Sequence, residues 1–210
     1  MATENQLSLG SDEQKVSYGL GRQFGEHLSR THITGIDLEA VIAGMEQAYL
    51  GEPSVIPADS LEAAYQAIES KLKMAARELA GRAAKEGVVF LEKNARRNNV
   101  QCTESGLQYE ILEKGDGDKP QAGSQVRTHY EGRLIDGTVF DSSFHRGEPA
   151  VFGVNQVISG WTEALQMMPV GSKWRIAVPS DIGYGEAGSP PVIPGDSALV
   201  FEISLIDIVE

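Results

Sequence analysis

The spacing of apolar residues changes once along this chain, at the polar segment NNVQCTESG of residues 98–106. Before this segment, apolar residues recur three or four positions apart, which is typical of one face of an α-helix. After it they recur at every second position, which is typical of half-buried strands. A chain of 210 residues is long enough for two parts that each bury a core. The pattern therefore predicts a helical part followed by a sheet.

The helical part begins with two short helices. Ser11 stands at the start of the first and is a suitable N-cap residue. The apolar residues of that helix are spaced four apart, at Val16, Leu20, Phe24 and Leu28. The second helix is predicted over residues 37–50, because a glycine and then a proline follow it. Residues 1–57 are therefore predicted to be an all-helical dimerisation domain.

Residues 58–98 are predicted to form one long connecting helix. At 1.5 Å per residue such a helix is roughly 60 Å long, and two short helices cannot cover it. Its apolar stripe predicts that a second copy of the chain packs there, so we expect a homodimer through the N-terminal helices. Gly81 and Gly87 each cost about 1 kcal/mol relative to alanine, and they mark positions where the helix could bend.

The second part, residues 99–210, is predicted to be a twisted antiparallel sheet wrapped on one short helix. Alternating apolar residues predict four strands, around residues 107–111, 126–130, 174–178 and 199–205. Asp136-Gly137 is a strong hairpin signal between two of these runs. Residues 160–168 are the one helical candidate long enough to cover a sheet face. The fold class predicted for the whole chain is α+β.

Composition excludes several classes of function. The net charge of -12 argues against nucleic-acid binding, which requires clustered lysine and arginine. No apolar run approaches the ~20 residues of a membrane span, and the N-terminal sequence has no secretory signal pattern. Cys102 is the single cysteine, so no internal disulfide can form, and we expect a cytoplasmic protein. No metal site is expected, because the histidines are scattered along the sequence at His27, His32, His129 and His145.

Residues 138–161 are rich in apolar and aromatic side chains but poor in reactive ones. The side chains there that titrate near or below neutral pH are Asp141, His145 and Glu148, and no nucleophile has a base beside it. A reaction at this segment must depend on shape, desolvation and hydrogen bonds rather than on proton transfer. Rotation about the peptide bond before a proline is such a reaction.

Residues 105–208 closely resemble the catalytic domain of FKBP-type peptidyl-prolyl cis-trans isomerases. The motifs HYEG, DG-x-x-FDSS, VI-x-GW, P-x-x-x-GYG and LVFEI occur in order and at family spacing. Residues 99–210 are therefore expected to be an FKBP-type isomerase domain. The helical half resembles the dimerisation module of bacterial homodimeric relatives, the macrophage infectivity potentiator-like proteins, in its architecture and length.

The resemblance implies a role for individual residues. Four are implied to be catalytic: Trp161 as the floor of a proline pocket, Asp141 beside the reacting amide carbonyl, and the Ile158 backbone N–H and the Tyr184 hydroxyl as donors to the bound peptide. The implied substrate-binding residues are Tyr130, Phe140, Arg146, Phe152, Val157, Val192, Ile193 and Phe201, of which Val192 and Ile193 fall in a flap over the pocket. No cofactor and no metal are implied. Ala150 and Ser189 depart from the family pattern and predict a more open rim.

The resulting expectation is a rotamase that accelerates X-Pro rotation in folding proteins and binds clients in a chaperone-like way as a dimer. Its expected partners are unfolded or proline-containing polypeptides, and macrolide inhibitors such as rapamycin are expected in the same pocket. The alternative is a non-catalytic module that grips prolyl peptides or a partner without accelerating rotation. Catalysis would require Asp141, Ile158, Trp161 and Tyr184 to lie around one pocket.

Overall fold

The computed structural model describes residues 9–31, 33 and 35–209. It contains helices in the first half and an antiparallel sheet in the second, which confirms the predicted α+β class. The chain divides into two compact units, Met1–Glu69 and Ser70–Glu210. The predicted domain division at 57/58 and 98/99 stays a prediction, since the boundary between the compact units falls inside the third helix.

The first unit contains helices α1, Asp12–Ser29, and α2, Leu38–Leu50. Ser11 caps α1 as predicted, because its side chain accepts from the Gln14 N–H while the Gln14 side chain accepts in return from the Ser11 N–H. The Asp37 side chain caps α2 by accepting from the Glu39 and Ala40 N–H groups, and Gly51 ends α2 in the left-handed conformation.

The apolar faces of α1 and α2 are exposed in the single chain. Neither helix contains a buried residue. Leu20 is 63% exposed and Tyr49 is 90% exposed, although both belong to the apolar faces expected to point inward. The amphipathic pattern thus predicted the helices correctly, but the described residues of one chain do not cover them.

Helix α3, Ala58–Ala95, ends three residues before the predicted position and runs without interruption. Gly81 and Gly87 therefore do not break it. Gly87 is the one buried residue of α3, and a Cβ added to it would lie 3.2 Å from the Ala198 Cβ. The glycine allows close packing at this position.

The second unit contains a seven-stranded antiparallel sheet. Its strand order is β1-β2-β6-β7-β3-β4, and β5 pairs with residues 125–128 of β3, before the residues of that strand that pair with β4. The strands are β1 Gln101–Cys102, β2 Gln108–Glu113, β3 Gln125–Leu134, β4 Val139–Ser142, β5 Ala150–Gly153, β6 Lys173–Val178 and β7 Leu199–Val209. Two helices accompany it, α4 Ser143–Arg146 and α5 Ser159–Met167.

The core lies between α5 and one face of the sheet. Trp161 and Leu165 of α5 pack with the inward residues of the strands, among which Val126, Ile176 and Ile203 are fully buried. Alternate residues of β3 and β7 are buried because successive side chains point to opposite faces. The prediction of a sheet wrapped on one short helix is confirmed.

The hairpin between β3 and β4 sets which residues of β3, β4 and β7 lie side by side. The turn at Asp136-Gly137 closes with a hydrogen bond from Leu134 N–H to the Thr138 carbonyl, 2.9 Å, and Gly137 has a φ of 93°. This register places Asp141 opposite Gly132, and Gly132 in turn lies opposite Phe201 of β7. Residues of three strands are thereby brought to one end of the core.

Candidate active site

A cavity of about 420 Å³ opens at this end of the core. Nine residues that the sequence pointed to line it, contributed by β3, β4, β5, the start of α5, the loop after β6, and β7. They are Tyr130, Phe140, Asp141, Phe152, Val157, Ile158, Trp161, Tyr184 and Phe201. The structure thus brings together side chains that are separated by up to about 70 positions in sequence.

Trp161 lines the cavity from the first turn of α5. Its side chain is only 4% exposed, and three aromatic rings meet it edge-on. The ring centroids of Tyr130, Phe201 and Phe152 lie 5.2, 5.4 and 5.8 Å from that of Trp161, with interplanar angles of 89°, 85° and 81°. Such edge-to-face packing fixes the orientation of each ring. The result is a rigid apolar surface large enough for a small ring.

Gly132 is a feature of the cavity that sequence reasoning missed. A Cβ on this residue would lie 2.6 Å from the Phe140 ring and 2.8 Å from the Phe201 ring. The two rings themselves meet edge-on at 5.6 Å. Only a residue without a side chain lets both rings close over β3 at this point. The glycine of the HYEG motif was the available signal, but its role depends on contacts between three strands.

The polar rim of the cavity is a cluster of Asp141, Tyr130 and Arg146. The Tyr130 hydroxyl and the Arg146 guanidinium both donate to the Asp141 carboxylate, and Arg146 also donates to the Tyr130 oxygen at 2.9 Å. Partial burial alone would raise the pKa of Asp141, but these two donors outweigh it and lower the pKa. Asp141 therefore stays a carboxylate at neutral pH. Arg146 does not line the cavity but hydrogen-bonds to Asp141 and Tyr130, so its predicted contact with a bound peptide stays a prediction.

Tyr184 and Ile158 place further hydrogen-bond donors at the border of the cavity. Burial, and then the nearby charge of Asp141, raise the pKa of the Tyr184 hydroxyl, so that this hydroxyl keeps its proton. Ile158 is the N-cap residue of α5, and no side chain caps that end of the helix. Its backbone N–H belongs to the group that a helix leaves without an internal acceptor. Both donors can therefore serve a bound carbonyl oxygen.

The two flap residues predicted to bind substrate do not line the cavity. Val192 is 47% exposed, whereas Ile193 is buried in the core cluster. The flap is a tight turn closed by paired hydrogen bonds between Ser189 and Ile193, of 2.9 and 3.0 Å. The predicted contact of these two residues with a bound peptide stays a prediction.

Gln156 lines the cavity and was not predicted. Its only sequence signal is its position directly before Val157-Ile158. Its side chain lies over Gly153, where a Cβ would come within 2.8 Å of the Gln156 Oε1.

Among residues 9–31, 33 and 35–209, no cluster of three or more His, Cys, Asp or Glu side chains is arranged to bind a metal ion. His32 lies outside the described residues. Within the same residues, each helix is too short or too polar to cross a membrane.

The chemistry available at this site is limited by its ionisable groups. Of the residues lining the cavity, Asp141 carries a charge at neutral pH, and it is held by Arg146 and Tyr130. A carboxylate with a lowered pKa is a weak base, and Tyr130 and Tyr184 have raised pKa values. The site is therefore suited to bind an apolar ring and a carbonyl group without proton transfer.

Comparison with known proteins relates both halves of the chain to FKBP-type isomerases. Residues 13–111 match the domain amino terminal to FKBP-type peptidyl-prolyl isomerase, and residues 117–206 match the FKBP-type peptidyl-prolyl cis-trans isomerase family. The chain is 46% identical over 196 residues to the FKBP-type 22 kDa peptidyl-prolyl cis-trans isomerase of Escherichia coli K12, which covers 93% of this chain and 95% of that protein.

Two further proteins match this chain over most of its length. The peptidyl-prolyl cis-trans isomerase Mip of Coxiella burnetii is 37% identical over 204 residues, covering 95% of this chain and 88% of that protein. The crystal structure of FkpA from Escherichia coli matches with a TM-score of 0.67 and 32% identity, over 96% of this chain and 98% of that one. The motifs, the aromatic cavity and these relatives together show that the chain belongs to the FKBP-type peptidyl-prolyl cis-trans isomerase family.

Proposed function

We propose that this isomerase holds the proline ring of an X-Pro bond against Trp161 and turns the bond inside the aromatic cavity. The observation that carries the proposal is the cavity itself. Its walls are mostly aromatic and aliphatic, and its one carboxylate, Asp141, is hydrogen-bonded by Arg146 and Tyr130. Trp161, Ile158, Tyr184 and Asp141 act on the reacting prolyl amide, while the other aromatic and aliphatic lining residues form the walls around the proline ring.

The catalytic effect follows from the electronic structure of the amide. Rotation of the bond has a barrier of ~18–20 kcal/mol because twisting breaks the amide resonance. The twisted amide has a less polar carbonyl group than the planar one, so an apolar cavity costs the planar form more desolvation energy. This difference lowers the barrier. Each tenfold gain in rate needs about 1.4 kcal/mol, so ring burial and a few oriented donors are sufficient.

Two substitutions of tryptophan test the site. Trp161→Leu removes the floor of the cavity, and we expect kcat/KM for an X-Pro tetrapeptide to fall by about tenfold or more, as measured by NMR exchange. Trp174→Leu is the matched control. Trp174 is an equally buried tryptophan of the same core, but it stacks on Tyr109 at 4.6 Å and does not line the cavity.

Asp141→Ala extends the same test to the rim. We expect it to lower kcat/KM while leaving the folded core intact, because the Asp141 side chain is partly exposed. If Trp161→Leu and Asp141→Ala both retained wild-type rates while binding of a prolyl peptide was lost, the cavity would be a binding module without a catalytic role.

The protein acts as a homodimer formed by the N-terminal helices. This part of the proposal is supported by the exposed apolar side chains of the first unit, among them Val16, Leu20, Ile42 and Tyr49. Exposed apolar surface on this scale is unfavourable in water, and a second copy would cover it symmetrically. Light scattering of the full chain and of residues 70–210 tests it, with a dimer expected for the first and a monomer for the second.

A dimer would present two cavities to one unfolded client. Capture by one cavity raises the effective concentration of the client at the other, which gives a chaperone-like gain without new contacts. We therefore expect residues 70–210 to retain full activity on a tetrapeptide but to lose efficiency on a protein whose refolding is limited by proline isomerisation. Equal loss on both substrates would contradict this division of labour.

The pocket would also take a macrolide inhibitor such as rapamycin, whose ring system would occupy the apolar floor. Ala150 offers a small side chain beside Phe152, where many relatives have a large aromatic residue. Ala150→Phe is therefore expected to strengthen inhibition of the tetrapeptide reaction. An unchanged inhibition constant would place the macrolide away from this rim.

Cells that make this protein would hold it in the cytoplasm. The supporting observation is the exposed thiol of Cys102, the single cysteine of the chain, which suits a reducing compartment. Fractionation of the cells, followed by detection with an antibody, tests the location. Recovery in an oxidising compartment would overturn it.

A further inference from the structure

Helix α3 packs directly on the loop that follows the flap, and this loop, residues 194–198, is named here the flap-base loop. A Cβ added to Gly87 would lie 3.2 Å from the Cβ and 3.5 Å from the backbone nitrogen of Ala198. One Cβ on Gly195 would lie 3.4 Å from the Ala80 Cβ. Ala80 and Gly87 are seven residues apart and so lie on the same face of the helix. At these two points of direct contact, α3 therefore presents almost no side-chain volume to the flap-base loop. Beside them, Leu79, Arg82 and Glu86 line a cavity of about 300 Å³ together with residues of the loop.

The flap-base loop is tied to the residues of the cavity. The Asp196 N–H donates to the Gly185 carbonyl at 2.9 Å, and Gly185 directly follows Tyr184. A Cβ on Gly195 would overlap the Glu186 carbonyl oxygen, so the loop cannot move towards residue 186 without displacing it. The loop is preceded by the flap, Ser189–Ile193, and Phe201 follows it by three residues. A displacement at residues 194–198 would therefore reach the flap, Tyr184 and Phe201.

The end of α3 is fixed to the sheet by separate contacts. Gln108 of β2 donates from its amide nitrogen to the Leu91 carbonyl at 3.0 Å, and it accepts from the Asn94 amide at 2.9 Å. Arg97 donates to the buried carboxylate of Glu110 at 2.8 Å. These contacts lie on β2, away from the flap-base loop. Helix α3 thus provides a fixed surface against which the loop rests.

We propose that Gly87 and Ala80 are positioning residues for isomerisation, which set the place of Tyr184 and the flap relative to Trp161. This inference rests on the cavity being the site of isomerisation. A Cβ at position 87 already lies 3.2 Å from the Ala198 Cβ, tighter than ordinary contact, so a larger side chain there must press on the loop. The residues of α3 thereby act on the bound peptide through the loop and touch no part of it themselves.

A pair of glycine substitutions tests the proposal in the full chain. Gly87→Leu and Gly81→Leu change the intrinsic helix propensity of α3 equally, but a Cβ on Gly81 would meet nothing within 4 Å. We expect Gly87→Leu to lower kcat/KM for an X-Pro tetrapeptide by about fivefold, mainly through KM, and Gly81→Leu to stay within about twofold of wild type. The backbone amide resonances of Tyr184 and Ile193 should shift in the first variant only.

A methyl exchange provides the second test, in case Gly87→Leu does not fold. Gly87→Ala brings a methyl group against Ala198, and Ala198→Gly removes the methyl that it meets. The double variant should recover wild-type KM and the wild-type resonances of Tyr184, which a general loss of stability would not do. The proposal is overturned if folded Gly87→Leu, or Gly87→Ala alone, has the KM and the resonances of Gly81→Leu. If instead the cavity is not the site of isomerisation, Trp161→Leu should keep full activity, whatever the result for position 87.

Discussion

The two compact units differ in whether one chain can complete them. In residues 70–210, α5 and the sheet bury each other, and Leu165, Ile176 and Ile203 are fully removed from solvent. In α1 and α2 no residue is buried, although their apolar faces are as regular in sequence as those of the strands. An amphipathic pattern therefore states that a face must be covered, but it does not state by which chain.

The physical reason for the difference is the supply of partners along the sequence. Strand β7 pairs with both β3 and β6, and α5, which lies between β3 and β6 in the chain, covers the face that the three strands share. Burial of this apolar surface is the main favourable term in folding. The described helices of the first unit have no comparable layer to cover them, so the same driving force favours association with a second copy.

The largest expected effect is in the core of the sheet. Ile203→Ala should lower the free energy of unfolding by about 2–5 kcal/mol, because it leaves a cavity at a fully buried position. Urea denaturation followed by tryptophan fluorescence measures it, since both tryptophans lie in this unit. The shift should be independent of protein concentration. Ile111→Ala on β2, at a half-exposed isoleucine, is the control and should cost much less.

Substitutions on the apolar face of α1 should weaken the dimer, so their effect should depend on protein concentration. Leu20→Gln with Phe24→Gln should weaken the dimer by about a hundredfold or more, because two apolar side chains that each contribute about 1.5–3 kcal/mol when fully buried together contribute at least about 3 kcal/mol. Sedimentation velocity over a dilution series measures the change. Arg22→Gln on the other side of α1 is the matched control. A dimer unaffected by the double substitution would place the interface elsewhere and break the comparison.

Gly132→Ala tests how tightly the Phe140 and Phe201 rings pack over β3. The added methyl cannot fit between the Phe140 and Phe201 rings, so overpacking should cost about 1–3 kcal/mol and kcat/KM should fall by about tenfold. Tetrapeptide assays and thermal unfolding measure the two effects. Gly123→Ala, where a Cβ would meet nothing within 4 Å, should change neither. Wild-type activity of Gly132→Ala would mean that the two rings need not meet for catalysis.

The smallest effect is that of pH. The pKa of Asp141 is lowered in the folded protein, so its carboxylate stabilises the fold fully above the ordinary aspartate pKa of about 3.9. This stabilisation is lost as the pH falls through the lowered pKa of the folded state, where the carboxylate takes up a proton. Tetrapeptide activity should therefore be flat through the neutral range and fall only below the usual carboxyl range. A drop near the pKa of histidine would indicate a group that the cavity does not contain.

Much of the candidate site could be predicted from the sequence because its residues lie in short motifs of fixed spacing. Asp141 follows a hairpin turn that Asp136-Gly137 sets, and Ile158 and Trp161 open α5 within one turn of each other. Helix propensity marked Gly87 only as a position where α3 could bend or break, and it gave no sign of the contact with Ala198. The true surroundings of Gly87 are in a loop more than a hundred residues away, which no local pattern reports.

The sequence by itself determined the change from helical to strand periodicity, the capped start of α1, the end of α2 at a glycine, and the motifs that carry the aromatic cavity. These depend on interactions within a few residues, which recur wherever the same local pattern occurs. Tertiary structure alone decided that Gly132 admits two rings, that Gly87 supports the flap-base loop, and that Ile193 lies in the core. Such roles depend on the volume left between segments distant in sequence, and that volume is set only when the whole core is packed.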